Sequence, residues 1–420
     1  MKPCEINDLG GAATLRSYTD PRFKTMRLSV NLLLPLRPET AAVYGILPGL
    51  VTRATREYPS FAALNQKLSS LYGATLSTSV RKLGAYQALC LSVSGISGRY
   101  AFGGEDMSAE LSSLLFSAMF NPLKGETGLF PKEHFLQEQR QLLELKDAEY
   151  NDKVAYARQK CERLLFSGTP GAIDRYGERE EIAELSEDIL PQAWEDVLKQ
   201  ARFEIFALGD CSADVELFRE KFSSVGSKLK LSAMSYSVPH SVLRETEEQA
   251  VSQSKLSMGF RVDANQDERL LFQLMSAVFG GVPSSKLFQN VREKMSLCYY
   301  CSSSYQHLTR SLFVDSGVET ENLERAEQEI LHQLTLLQQG ELDEEELLSA
   351  KLALCNSFRS VGDSLGAVEN WNLGQVFEDV PFTPEKAAER IMRITTDEIV
   401  SAARRVKPAV VFALKGTGVN

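Results

Sequence analysis

Gly280-Gly281-Val282-Pro283-Ser284-Ser285-Lys286-Leu287-Phe288-Gln289-Asn290-Val291-Arg292-Glu293-Lys294-Met295-Ser296-Leu297-Cys298-Tyr299-Tyr300 is the stretch from which the fold can be read. Two glycines and Pro283 mark a tight connection, the run from Leu287 to Met295 reads as a helix, and Tyr299-Tyr300-Cys301-Ser302-Ser303-Ser304 resumes as a strand. The glycines lack P-loop spacing and Pro283 removes a backbone donor, so the turn is a connector and not a phosphate cradle.

The first half of the chain repeats this order. Leu64-Asn65-Gln66-Lys67-Leu68-Ser69-Ser70-Leu71-Tyr72-Gly73 leads into the alternating run Ala74-Thr75-Leu76-Ser77-Thr78-Ser79-Val80. Upstream, Met26-Arg27-Leu28-Ser29-Val30-Asn31-Leu32-Leu33-Leu34 and Lys255-Leu256-Ser257-Met258-Gly259-Phe260 both alternate as half-buried strands do, each followed by a helix. Downstream, strands over 88–95 and 311–317 each precede an amphipathic helix, and Pro-led or acidic helix starts follow at 130–135 and 342–347. Apolar strands over 203–209 and 409–415 close the two halves.

Strand, helix, adjacent strands and then helices imply an α+β architecture. The expectation is two homologous domains, each a mainly antiparallel sheet with helices packed on one face. The first covers 1–224, a polar linker 225–250, and the second 251–420. A chance likeness between two unrelated α/β domains is the competing explanation.

Composition narrows the function. The chain has 420 residues and a formal net charge of −10 with its basic residues scattered, which argues against nucleic acid as a partner. Met1 to Asp8 has no signal-peptide pattern and no apolar run approaches the roughly 18 residues that a membrane span needs, so a cytoplasmic protein without membrane contact is expected. Seven dispersed cysteines fit free thiols in a reducing compartment. Cys298 and Cys301 form a C-x-x-C, but spacing along a strand, with no second pair and no nearby His, is weak grounds for metal or redox work.

The passage quoted first, together with the repeat and the chain length, resembles the pitrilysin-like (inverzincin) metallopeptidase family, in its mitochondrial-processing-peptidase-like branch. In that family a Gly-rich turn leads to a helix ending Arg-Glu-Lys and a strand starting Gly-Leu-x-Tyr, whose Arg and Tyr contact bound peptide. The resemblance assigns substrate binding to Arg292 and Tyr299, with Ser296 in place of the usual Gly.

Active members also carry H-x-x-E-H on the first helix after the first strand, where two His one turn apart bind zinc and the Glu activates water. Here Pro48, Val51 and Thr52 hold those positions. Glu144 falls about where the third ligand belongs, but without imidazole partners it reads as a helix-surface acid. The chain's histidines, His134, His240, His307 and His332, are not spaced as helical zinc ligands. No catalytic residue, metal or cofactor is therefore expected, as in a non-catalytic bacterial member.

Two functions follow from the resemblance. In one, the chain is the non-catalytic subunit of a heterodimeric zinc peptidase, enclosing a peptide or unfolded-protein substrate with a homologous zinc-bearing subunit. In the other, it is a peptide-binding or scaffold protein with no associated hydrolysis. An active peptidase of another kind finds no support, because neither a G-x-S-x-G elbow nor a Cys and His arrangement is recognisable.

Overall fold

The computed structural model describes residues 2–237 and 241–418. Met1, His240, the 238–240 part of the expected linker and the last two residues of the expected second domain lie outside the described residues.

The first sheet is built from β1 (Glu5–Asp8), β2 (Ala13–Thr19), β3 (Thr25–Pro35), β4 (Thr75–Leu83), β5 (Tyr86–Ile96) and β6 (Arg202–Gly209), in the order β1-β2-β6-β3-β5-β4. β7 (Leu243–Gln249), β8 (Ser254–Val262), β9 (Cys298–Gln306), β10 (Ser311–Val318) and β11 (Val406–Gly416) form the second, in the order β7-β11-β8-β10-β9. Leaving out β1, the two orders correspond strand for strand. β2 runs parallel to β6 and β7 parallel to β11, and the other pairings are antiparallel. The repeat therefore includes β2 and β7, which the sequence patterns did not reveal. Leu243–Gln249 falls inside the segment expected as a linker, and it is instead the edge strand of the second sheet.

Period-2 alternation buries one face of each sheet under that half's own helices. Met26, Leu28, Val30, Leu32 and Leu34 of β3 join one core, and Leu256, Met258, Phe260 and Val262 of β8 join the other. In the first half the covering helices include α1 (Pro38–Arg53), α2 (Phe61–Ser70), α3 (Met107–Phe120) and α4 (Lys132–Asn151). The second half offers α6 (Arg269–Ser276), the helical segment Leu287–Lys294, α7 (Leu323–Gln339) and α8 (Glu344–Ser360) in the same order. The α+β expectation holds.

What the expectation of helices on one face did not include is an exchange between halves. Helix α5 (Lys153–Leu165), which follows α4, lies on the other face of the second sheet. There Ala157, Cys161 and Leu165 pack with Phe313, Val410, Phe412 and Leu414. A Cβ on Gly259 would lie 3.3 Å from the Cys161 sulfur, so glycine on β8 accommodates the close approach. Reciprocally, α9 (Leu365–Gly374), which follows α8, covers the other face of the first sheet, where Val368 and Leu373 meet Tyr18, Phe206 and Leu208.

Each crossing helix also brings charge to the foreign sheet. On α5, Arg158 pairs with Asp315, which accepts a hydrogen bond from Ser257 Oγ at 2.7 Å, and its guanidinium lies 4.0 Å from the Phe313 ring centre. On α9 the sign is reversed. Glu369, 2% exposed, accepts hydrogen bonds from Arg27 Nε (2.6 Å), Ser29 Oγ (2.7 Å) and Asn31 Nδ2 (3.0 Å) of β3. Burial raises the Glu369 carboxyl, but Arg27 and the two donors outweigh it and leave the group below its ordinary 4.5. For Asp315 burial wins over Arg158, and its carboxyl lies above the ordinary 3.8.

A carboxyl depressed in the folded state contributes stability that is present above its unfolded pKa and lost as pH falls through the folded one. The Glu369 interface should thus weaken in acid. Glu369→Gln strands the Arg27 charge and is expected to cost about 3 kcal/mol at neutral pH, with the gap from the parent closing below pH 4.5. Urea denaturation across that range, followed by tryptophan fluorescence, measures this. A Gln variant as stable as the parent at neutral pH would remove Glu369 from the contact's energetics.

Candidate functional site

Pro48, Val51 and Thr52, expected at the positions of a lost zinc motif, lie on α1. Pro38 opens this helix, Glu39 sits in its first turn and Arg53 in its last, each suited to its end of the helix dipole. Pro48 is buried inside the helix, where a proline has no N–H to give the preceding turn. Val51 is fully buried in the core. Thr52 Oγ1 donates back to the Pro48 carbonyl at 2.8 Å. Proline and valine offer no lone pair to a metal and the threonine hydroxyl is engaged with its own helix, so these residues do not fit a zinc ion.

The carboxylate that meets α1 from α4 is Glu138, not Glu144. Arg53, next to Thr52, donates to Glu138 from Nε at 2.8 Å, and the two side chains are only 10% and 13% exposed. A Cβ on Gly49 would overlap the Glu138 carboxylate, and one on Gly45 would crowd the Tyr176 ring. Those two glycines one turn apart were the available sign that something packs closely here. Glu144 stands 70% exposed with Arg140 at 3.9 Å. His134 lies close enough to Arg53 for that charge, after burial, to hold its imidazole below the ordinary value. Among the described residues no group of three or more His, Cys, Asp or Glu side chains could hold a metal ion.

Arg292 and Tyr299 lie on the second half, on a braced frame. Gly280 allows β9 to pass close by, because a Cβ there would sit 2.7 Å from the Ser303 nitrogen. Segment Leu287–Lys294 is wound as a π-helix, a rare form often found at functional sites. Buried Leu287 and Val291 anchor it. Buried Lys286 pairs with Glu346 of α8 at 3.0 Å, and Asn290 donates to Gln333 of α7 at 2.9 Å.

Arg292 emerges from this frame with its side chain 39% exposed, over the Phe288 ring at 4.5 Å and 3.5 Å from Glu293. Tyr299 is 63% exposed, and its hydroxyl donates to Glu319 at the end of β10 at 2.9 Å. That acceptor raises the phenol's pKa. Between them, Cys298 is close enough to Arg292 for the guanidinium to favour its thiolate. Arg292 and Tyr299 are thus both exposed in the second half, while Pro48, Val51 and Thr52 belong to the other half.

Ser296 joins the two elements in a left-handed conformation, φ 50°. Its N–H donates to the Arg292 carbonyl, and the N–H of Leu297 to that of Val291. The same cap closes α2, where the N–H of Gly73 (φ 76°) donates to Ser69 and that of Ala74 to Leu68. The first half has glycine where the second has serine, although Tyr72, just before that glycine, is left-handed as well at φ 57°. Replacing Ser296 with Gly should remove a left-handed penalty of roughly 1–2 kcal/mol, less the glycine's own entropy, for a net gain of about 1 kcal/mol. Urea midpoints of the two proteins measure it, and an unchanged midpoint would show that serine is at ease in this cap.

The family model described as "Peptidase M16 inactive domain" matches residues 184–354, a span that contains Arg292 and Tyr299 but not α1. The chain is 26% identical to a probable inactive metalloprotease, YmfF, of Bacillus subtilis (strain 168), over 98% of each chain. It is 28% identical to an uncharacterized zinc protease of Rickettsia felis, over 37% of this chain and 39% of the relative. Among solved structures it is similar to a conserved protein from Enterococcus faecalis V583, with a TM-score of 0.92 and 26% identity across the whole of both chains. It shares its fold with a peptidase M16 inactive domain from Pseudomonas fluorescens, with a TM-score of 0.80, 16% identity and coverage of 99% and 98%.

Proposed function

We propose that this chain, an inactive homologue of the M16-family peptidases, is the non-catalytic subunit of a two-chain zinc peptidase and presents Arg292 and Tyr299 to the peptide. The observation that carries this is the contrast between two sites. The metal positions are filled by Pro48, Val51 and Thr52 beside the Arg53–Glu138 pair, whereas Arg292 and Tyr299 stand exposed on a rigid frame. A guanidinium and a phenol can each donate to a peptide carbonyl, or to the oxyanion that forms from it during hydrolysis. The zinc and its activated water would come from a homologous partner carrying H-x-x-E-H.

Tyr299 already donates to Glu319. Delivering the phenol to a substrate exchanges one hydrogen bond for another and leaves no buried group unpaired, so the switch costs little. The seven free cysteines fit a cytoplasmic setting for the complex, and no helix among the described residues is long and apolar enough to cross a membrane.

Reconstitution with a zinc-bearing homologue provides the test. Arg292→Ala and Tyr299→Phe are expected to lower peptide cleavage by roughly 10²-fold each, the order seen when one oxyanion donor is removed, while the complex still forms on size-exclusion chromatography. Full cleavage by both variants would overturn the trans-acting role. Failure to recover any H-x-x-E-H chain of similar length with this one would leave peptide binding without hydrolysis as the function.

A further inference from the structure

Four arginines among the described residues, Arg81, Arg163, Arg310 and Arg405, have a buried Nε that reaches no acceptor. Three of them use their other nitrogens. Arg81 donates to Asn31 at 2.9 Å, Arg163 to Glu178 at 3.0 Å and Arg405 to Glu268 at 2.7 Å. Arg310 differs, because among the described residues no hydrogen bond or ion pair takes any nitrogen of its guanidinium. A buried donor left in that condition calls for an acceptor from outside the chain, an ion or a water.

The main chain holds Arg310 firmly in place. It closes the turn between β9 and β10 in a left-handed conformation, φ 47°. Its carbonyl accepts from the Val262 N–H at 3.0 Å and from the Tyr236 hydroxyl at 3.3 Å, and its N–H donates to the His307 carbonyl at 3.2 Å. The corresponding turn between β4 and β5 uses Gly84, at φ 61°, for its left-handed residue, and glycine enters that region without strain. An arginine kept there against local strain is the pattern of a side chain with a task.

Arg310 lines a cavity of about 70 Å³ together with Arg261, Tyr236 and Asp263. Arg261 stands opposite Ser311, the residue after Arg310, in the pairing of β8 with β10. It is exposed, and it too has no ion pair among the described residues. The facing wall is the segment 234–236, fixed by the Met234 N–H on the Leu308 carbonyl at 2.8 Å and by the Tyr236 ring, edge-on to Phe166 at 4.9 Å. Neither arginine is ion-paired with Asp263, so the walls carry two cations and one carboxylate, an excess of one positive charge.

We propose that Arg261 and Arg310 form an oxyanion site that holds a single carboxylate or phosphate group. The donors of a guanidinium fork match the oxygens of such groups, and a charge-assisted hydrogen bond is stronger than a neutral one. The cavity is well under the roughly 300 Å³ at which drug-sized ligands are enclosed, so only the anionic group itself enters. With Arg261 exposed at the mouth, that group can belong to a free ion or to the end of a longer molecule such as the C-terminus of a peptide. The site stands apart from Arg292 and Tyr299 and does not rest on their proposed role.

Thermal unfolding of the full-length protein tests it, with sodium phosphate or sodium acetate titrated against sodium chloride of equal ionic strength. An anion that binds only the folded chain raises Tm with a saturating dependence on its concentration, and the parent protein is expected to show this for at least one of the two anions. Arg310→Gly suits the left-handed backbone, so in chloride it should unfold no lower than the parent. It should nevertheless need at least about tenfold more anion for the same shift, the order expected when hydrogen bonds to a charged group are lost. Arg261→Gln should respond in the same direction. Absence of any saturating rise would overturn the proposal, as would an equal rise in the parent and both variants, which marks a general salt effect. Acetyl-triglycine and its amide separate the sources. A half-maximal shift at lower concentration for the free acid than for acetate, with none for the amide, identifies a peptide terminus, and equal potency of the acid and acetate identifies a free anion.

Discussion

Neither sheet is complete without a helix from the other half, and the rest of the structure depends on that exchange. The second sheet turns Phe313, Val410, Phe412 and Leu414 away from its own helices, toward α5. The first turns Phe206 and Leu208 toward α9. Each such side chain is worth about 1.5–3 kcal/mol when buried, so a half folded alone would leave a face of its sheet in water. The ion pairs add selectivity to this apolar attraction. α5 brings a cation to the carboxylate of Asp315, and α9 brings a carboxylate to the guanidinium of Arg27. Docked elsewhere, Arg158 and Glu369 would each lose the opposite charge that they meet here, and an unpaired charge in a poorly solvated place is costly.

Periodicity was enough to recover the elements that bury a face. β3 and β8 alternate because one side of each lies on a core, and their alignment exposed the duplication. β7 was illegible for the converse reason. Leu-Arg-Glu-Thr-Glu-Glu-Gln is an edge strand exposed along most of its length, and charge along an edge is how a sheet avoids pairing with another chain, not a strand signal. The exchange of α5 and α9 was hidden as well, because an amphipathic helix states that it has a buried face but not which sheet will cover it. Nothing local links Arg158 to Asp315 or Glu369 to Arg27.

At the site, legibility followed the same line. The absence of H-x-x-E-H from α1 could be read directly, since it is a matter of residue identity. Which carboxylate of α4 faces α1 could not, and Glu138 and Glu144 proved to lie on different faces of that helix, one paired with Arg53 and the other in solvent. The bulge at Tyr299 was equally invisible. It is a property of the pairing between β9 and β10, where Val318 pairs with Cys298 and Gly317 with Tyr300.

The two candidate regions, one in each half, are built in opposite ways. On α1, the residues expected at the zinc-motif positions serve the helix and its packing: a buried proline, a core valine and a back-bonded threonine. At the equivalent of the α2 cap, the second half keeps a strained serine and leads into an exposed tyrosine. Stability gives little reason for that arrangement. Arg292 has an exposed ion pair at 3.5 Å and Tyr299 one surface hydrogen bond, contacts that water competes with and that add little to the fold. The frame beneath them is costlier, with a π-wound helix, a buried lysine that needs Glu346, and a glycine required by the passage of β9. A frame of that kind, carrying side chains that do little for the fold, fits a surface built to meet another molecule.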